Sequence, residues 1–149
     1  MAKHPHIILR SGRSIGVGHP CFIVAEVGNN HQGDLEHAKR MIHEVAAKTL
    51  AESLGLVFFA SAWDDVSLGE MLDLDVELMK VCSADLVNLP LLRRVAASRL
   101  PVILSTGMSS LEEIDAALAV VREHHDDIAV LHCNSSYPCA EEQIGLPVM

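Results

Sequence analysis

Five short apolar runs recur along the chain, each closing on a cluster of small polar residues, glycine or proline. They are Cys21–Gly28 (followed by NNHQGD), Leu56–Ser61 (AWDD), Glu77–Cys82 (SAD), Pro101–Leu104 (STGM) and Ile128–Cys133 (NSSYP). Between them lie stretches with apolar residues at helical spacing. The alternation predicts repeated strand–helix units. The near-continuous apolar character of the runs suits parallel strands covered on both faces. In parallel α/β folds the chemistry collects at the carboxyl ends of the strands. The polar clusters therefore mark where a site should lie.

The intervening segments carry their own start and stop signals. The first core strand is expected over Phe22–Val27, and Gly33 with Asp34 opens a helix after it. Leu35, Ala38, Ile42, Val45 and Thr49 share one face of that helix, which runs to about Leu54 before Gly55 ends it. A short helix carries Leu68, Met71 and Leu72. Another spans Pro90–Ala97, where proline suits the first turn. Ser110 and Glu113 form a capping box for a helix carrying Leu111, Ile114, Leu118 and Val121. Residues 1–20 form a polar, glycine-rich N-terminal arm, with Ile7–Leu9 as a short strand or hairpin arm, and the tail after Tyr137 is irregular.

At 149 residues the chain is the size of one domain. Half of it is apolar and its mean hydropathy is +0.28, which argues against disorder. No apolar stretch approaches the roughly 18–20 residues a membrane span requires. The first residues lack the pattern of a secretory signal, so a cytoplasmic location is expected. Cys21, Cys82, Cys133 and Cys139 then read as small buried hydrophobes, not a disulfide frame. A net charge of −9 argues against a nucleic-acid surface. Any anionic ligand must meet a local island of positive charge or of N–H groups, and after Lys48 the only lysine is Lys80.

Lys80 interrupts an apolar strand at its carboxyl end. It could bind phosphate or form a Schiff base there, or simply extend its ammonium to solvent. Ser83, three residues on, cannot share its inward direction and belongs to the following loop. Glu26 interrupts the first run in the same way, where a carboxylate must be paired, hydrated or bound to a ligand. Asn29–Asp34 is a polar loop with the makings of ordinary turn chemistry. Ser105, Thr106 and Gly107 precede a capped helix and could offer hydroxyls and N–H groups to an anion. Ser135, Ser136 and Tyr137 follow the fifth run with the same ambiguity. His124, His125, His132 and Cys133 show no zinc spacing, and a Cys–His nucleophile pair lacks a third member. Neither a G-x-G-x-x-G nor a P-loop is present.

Read in order, these tips resemble the sialic acid synthase family, which condenses phosphoenolpyruvate with N-acetylmannosamine or its 6-phosphate. The resemblance lies in FIVAEVGNNHQGDLEHAKRMI (Phe22–Ile42), FFASAWDD (Phe58–Asp65), MKVCSADLVNLPLL (Met79–Leu92), PVILSTGMSSLEEI (Pro101–Ile114) and LHCNSSYPCAEE (Leu131–Glu142). Relatives that make legionaminic or pseudaminic acids share these elements, so the acceptor sugar stays open. The resemblance implies that Lys80 and Ser83, helped by Ser105 and Ser61, hold the phosphate or carboxylate of phosphoenolpyruvate. Ser135 and Tyr137 would line the same pocket, and Glu26 would contact the acceptor sugar and assist proton movement. It also implies a divalent metal, manganese or magnesium, acting on the acceptor aldehyde.

The departures matter as much. The family's second strand, ending in K-F-Q, has no counterpart, as if about fifty residues were missing by analogy with relatives. The last two barrel strands with their metal-binding histidines, and a C-terminal antifreeze-like domain, also have none. The expected architecture is thus an α/β parallel βα repeat, an incomplete TIM barrel of about five of eight strands over residues 21–149. No metal ligand of the family pattern is expected, and the chain alone is expected to be inactive. Two alternatives stand beside this reading. One is a non-catalytic anion-binding or interaction fragment, as a homo-oligomer or bound to a full-length relative through open sheet edges. The other is a Schiff-base aldolase using Lys80.

Overall fold

The computed structural model describes residues 6–24, 53–136 and 138–148. Two sheets are present among them. An antiparallel hairpin joins β1 (His6–Ile8) to β2 (Ser14–Gly16), with Ile7 opposite Ile15. A parallel sheet in the order β3-β4-β5 is built from β3 (Met79–Val81), β4 (Val102–Ser105) and β5 (Ile128–Leu131). Helices α1 (Asp65–Asp73), α2 (Leu89–Ala97) and α3 (Leu111–Arg122) alternate with these strands. The chain is therefore an α/β fold with a parallel sheet, as the run-and-helix alternation predicts.

The helix boundaries follow from side-chain capping. Asp64 accepts a hydrogen bond from the Ser67 amide at 2.7 Å and opens α1. Asn88 caps α2 with Pro90 in its first turn. The expected box at α3 is present, the Ser110 amide donating to Glu113 at 2.7 Å and the Glu113 amide to Ser110 Oγ at 3.3 Å. One detail differs from the expected apolar face. Leu111, the first residue of the helix, is exposed, while Ala117, Val120 and Val121 are buried.

Alternation along the strands sends residues to two separate cores. Met79, Val81, Val102 and Leu104 face the helices and pack with Leu68, Met71, Leu92, Val95 and Val121. Leu78 and Ile103 face the opposite side, where the hairpin's Ile7 and Leu9 cover them. The hairpin reaches the loop before β3, where Arg10 pairs with Asp75 and the Ser11 amide donates to Glu77 at 2.8 Å. It thus covers the amino end of the sheet.

The second run enters this sheet by a single parallel bridge, Ser61 to Lys80, and not by a regular strand. Cys21–Val24 is likewise not in a strand, although Phe22 packs against the hairpin-side core. Ala25–Val27, the polar loop and the body of the first expected helix lie outside the described residues. The cysteines correct the expectation of burial: Cys21 is exposed and the other three are half-buried, Cys82 and Cys133 standing just past the ends of β3 and β5 and Cys139 in the irregular tail. All four are free thiols.

Candidate functional site

Lys80 has the parity of Leu78, so it points to the hairpin side of the sheet but lies farther along, towards the carboxyl end. Register sets it beside Ile103 on one side and Ser61 on the other. Among the described residues it is the only lysine. Ser105 closes β4 on the same face as Ile103 and is buried, 5% exposed. Ser83 opens a one-turn 3-10 helix, Ser83–Asp85, just past β3, in agreement with its expected place in the loop.

Between Lys80 and Ser83 lies Cys82, which the sequence reading treats as core. Its thiol is pushed up from the ordinary value, first by burial and also by the Asp85 carboxylate, whereas the Ser61 hydroxyl and the Lys80 ammonium draw it down. Those influences place Ser61, Lys80, Cys82 and Asp85 in one neighbourhood. The thiol lies 3.7 Å from Asp85 Oδ2.

The loops after β3, β4 and β5 meet at Gly107. Its amide donates to Ser83 Oγ at 2.9 Å. A Cβ placed on Gly107 would lie 2.5 Å from Ser135 Oγ and 2.9 Å from Ser83 Oγ. Two of the expected site serines therefore converge from different strand tips. Thr106 does not join them, because its hydroxyl donates to the Leu131 carbonyl at 2.8 Å. His132 is also engaged elsewhere, its Nε2 lying 2.6 Å from the Ile144 carbonyl oxygen. Glu26 and Tyr137 lie outside the described residues. Sequence reasoning missed Cys82 and the steric part played by Gly107. The parity of Cys82 with Lys80 was the available signal for the first, and nothing in the sequence could reveal the second.

Among the described residues the arrangement is one ammonium among hydroxyls, a thiol and the Asp85 carboxylate, at the carboxyl end of a parallel sheet, in a chain of net charge −9. Chemically it suits an anion. The described residues do not fit the divalent metal that the resemblance implies. No three His, Cys, Asp or Glu side chains come together among them as a metal site would need.

The NeuB family model matches residues 27–149. The chain belongs to the NeuB family. Among its curated NeuB-family relatives is human N-acetylneuraminate-9-phosphate synthase, 29% identical over 93% of this chain and 53% of the human enzyme. The N,N'-diacetyllegionaminic acid synthase of Legionella pneumophila is 27% identical over 87% of this chain and 53% of its own. The crystal structure of N-acetylneuraminic acid synthetase from Leptospira borgpetersenii serovar Hardjo-bovis, in complex with citrate, superposes with a TM-score of 0.82. It is 30% identical and is matched over 97% of this chain and 65% of that one. The chain spans about half the length of the curated relatives it matches. The human alignment runs over 191 positions but uses only 93% of these 149 residues, so about fifty positions have no counterpart on this side.

Proposed function

We propose that this chain carries the phosphoenolpyruvate-binding part of a nonulosonic-acid synthase. In this reading Lys80 neutralises the phosphate or carboxylate of phosphoenolpyruvate, with Ser61, Ser83, Ser105 and Ser135 supplying hydroxyl donors. Tyr137 lines the same pocket and Glu26 meets the N-acyl amino sugar, assisting proton movement. Carbon 3 of phosphoenolpyruvate attacks the open-chain aldehyde of the acceptor, water adds at carbon 2, and phosphate leaves with C–O cleavage. The residues named here hold the enol phosphate in place and balance its charge.

The observation that carries this reading is the placement of the described residues' only lysine at the carboxyl end of the sheet, bridged to Ser61 and next but one to the half-buried Cys82. Serines from the neighbouring strand tips stand at that same end. Family membership and the curated synthases agree with it. The Leptospira synthetase was solved with citrate, a carboxylate anion. The finer architecture belongs to the same proposal. Residues 1–20 form an arm, and residues 21–149 an incomplete TIM barrel of about five of eight strands. In this reading the absent second strand unit accounts for the roughly fifty unmatched positions. The assignment goes with a cytoplasmic enzyme, and the 149-residue polypeptide by itself is inactive because it corresponds to about half of each curated relative.

Isothermal titration of the 149-residue chain with phosphoenolpyruvate tests the site. Binding should weaken about tenfold or more in Lys80→Met, the loss of a charge-assisted contact. Unchanged affinity in that variant would remove Lys80 from the site. A phosphate-release assay with phosphoenolpyruvate, N-acetylmannosamine and Mn²⁺ should show no turnover by this polypeptide, and ordinary turnover would refute its inactivity. Borohydride treatment with pyruvate should leave Lys80 unmodified; a covalent adduct would replace this reading with a Schiff-base aldolase.

A further inference from the structure

We infer that Gly107 is a positioning residue of the anion site, one that gathers the Ser83 and Ser135 hydroxyls into a single cradle. The inference rests on the anion-binding reading above. Gly107 is buried between the end of β4 and the Ser110 cap of α3. Its amide donates to Ser83 Oγ at 2.9 Å. A hydroxyl oxygen that accepts in this way keeps its own proton to donate, which is the polarity an anion requires.

The glycine is required for space, not for backbone conformation. Gly107 is not among the residues with a left-handed φ; that conformation falls on the next residue, Met108, at φ 64°. A glycine serving the turn would sit at Met108. At Gly107 an added Cβ would lie 2.5 Å from Ser135 Oγ, 2.9 Å from Ser83 Oγ and 3.3 Å from Ser83 Cβ. Contacts under 3 Å force a shift, and here both atoms under that limit are hydroxyls that can rotate away. A methyl group at Gly107 would therefore disperse the two hydroxyls, and would cost the hydrogen bond that the buried Gly107 amide makes to Ser83. The contacts tie together loops that follow three different strands, so one missing side chain sets the spacing of donors that the chain brings from Ser83 and Ser135.

Phosphoenolpyruvate titration of Gly107→Ala, with thermal melting in parallel, tests this on the full 149-residue chain. The expected result is affinity about tenfold weaker, the loss of hydrogen bonds to a charged ligand, with a lowered melting temperature but a cooperative melt that shows the chain still folded. In the Ser83→Ala/Ser135→Ala background, adding Gly107→Ala should weaken binding no further, since the hydroxyls it displaces are gone. An equal loss in both backgrounds overturns the inference. So does full affinity in Gly107→Ala when Lys80→Met has lost binding, and that result leaves the anion reading standing. A wild-type chain that does not bind phosphoenolpyruvate overturns both.

Discussion

At the scale of single residues, the most informative side chain is Cys82, whose parity with Lys80 is its one signal in the sequence. Cys82 occupies the position between Lys80 and Ser83, and its thiol is held above the ordinary range chiefly by burial. A raised thiol carries less thiolate at neutral pH and reacts slowly. Alkylation by iodoacetamide, followed by peptide mass spectrometry, should modify the exposed Cys21 first and Cys82 only at higher pH. The neighbouring charges fix the direction of two variants. Asp85→Asn removes a carboxylate that raises the thiol, so Cys82 should react faster. Lys80→Met removes a cation that lowers it, so Cys82 should react more slowly. Equal rates in all three proteins would mean that these groups do not surround the thiol.

At the scale of elements, the caps decide where the helices begin. The Asp64 carboxylate sits below its ordinary range, first through the Ser67 amide that it accepts and then through the Ser67 hydroxyl. Asp64→Ala should destabilise the chain by about 1 kcal/mol, read by urea denaturation. The contribution of a depressed carboxylate is present above its unfolded value and lost as pH falls through the lowered folded value. The difference between wild type and variant should therefore shrink only in strong acid; a constant difference down to pH 2 would count against the cap.

Much of this level was legible in the sequence. Ser110 with Glu113, Pro90 in a first turn, and the apolar runs around Lys80 and Ile103 are local signals, and β3, β4, β5 and the last three helices appear where those signals fall. The second run was less legible. LVFFAS has the composition of a strand, yet pairing depends on a neighbour's register, and only Ser61 achieves it. The candidate site divides along the same line. Lys80, Ser83 and Ser105 could be found by their positions on strand tips. The meeting of Ser83 and Ser135 over Gly107 could not, because it depends on how loops of distant sequence fold together.

At the scale of the whole molecule, the parallel sheet separates the two cores that the described residues form, and the smaller depends on the amino-terminal hairpin. Leu9 is 2% exposed and packs with Leu78 and Ile103 on the face that bears Lys80. Leu9→Ala should cost about 2–5 kcal/mol, the range for a large-to-small change in a core, measured by chemical denaturation. An effect under about 0.5 kcal/mol, typical of surface positions, would show the hairpin to be dispensable. Because the hairpin closes the amino end, this loss should appear in stability ahead of ligand affinity.

The single bridge that brings Ser61 to Lys80 has a consequence for amide exchange. β4 is paired along both edges, whereas the Lys80 amide reaches across to the Ala60 carbonyl at 3.3 Å, where the neighbouring segment has no ladder of its own. Local openings cost less free energy than global unfolding. The Lys80 amide should therefore take up deuterium sooner than the amides of Ile103 and Leu104. Each such opening carries Ser61 away from Lys80, so a bound anion that engages both must slow exchange at that one amide more than anywhere else in the sheet.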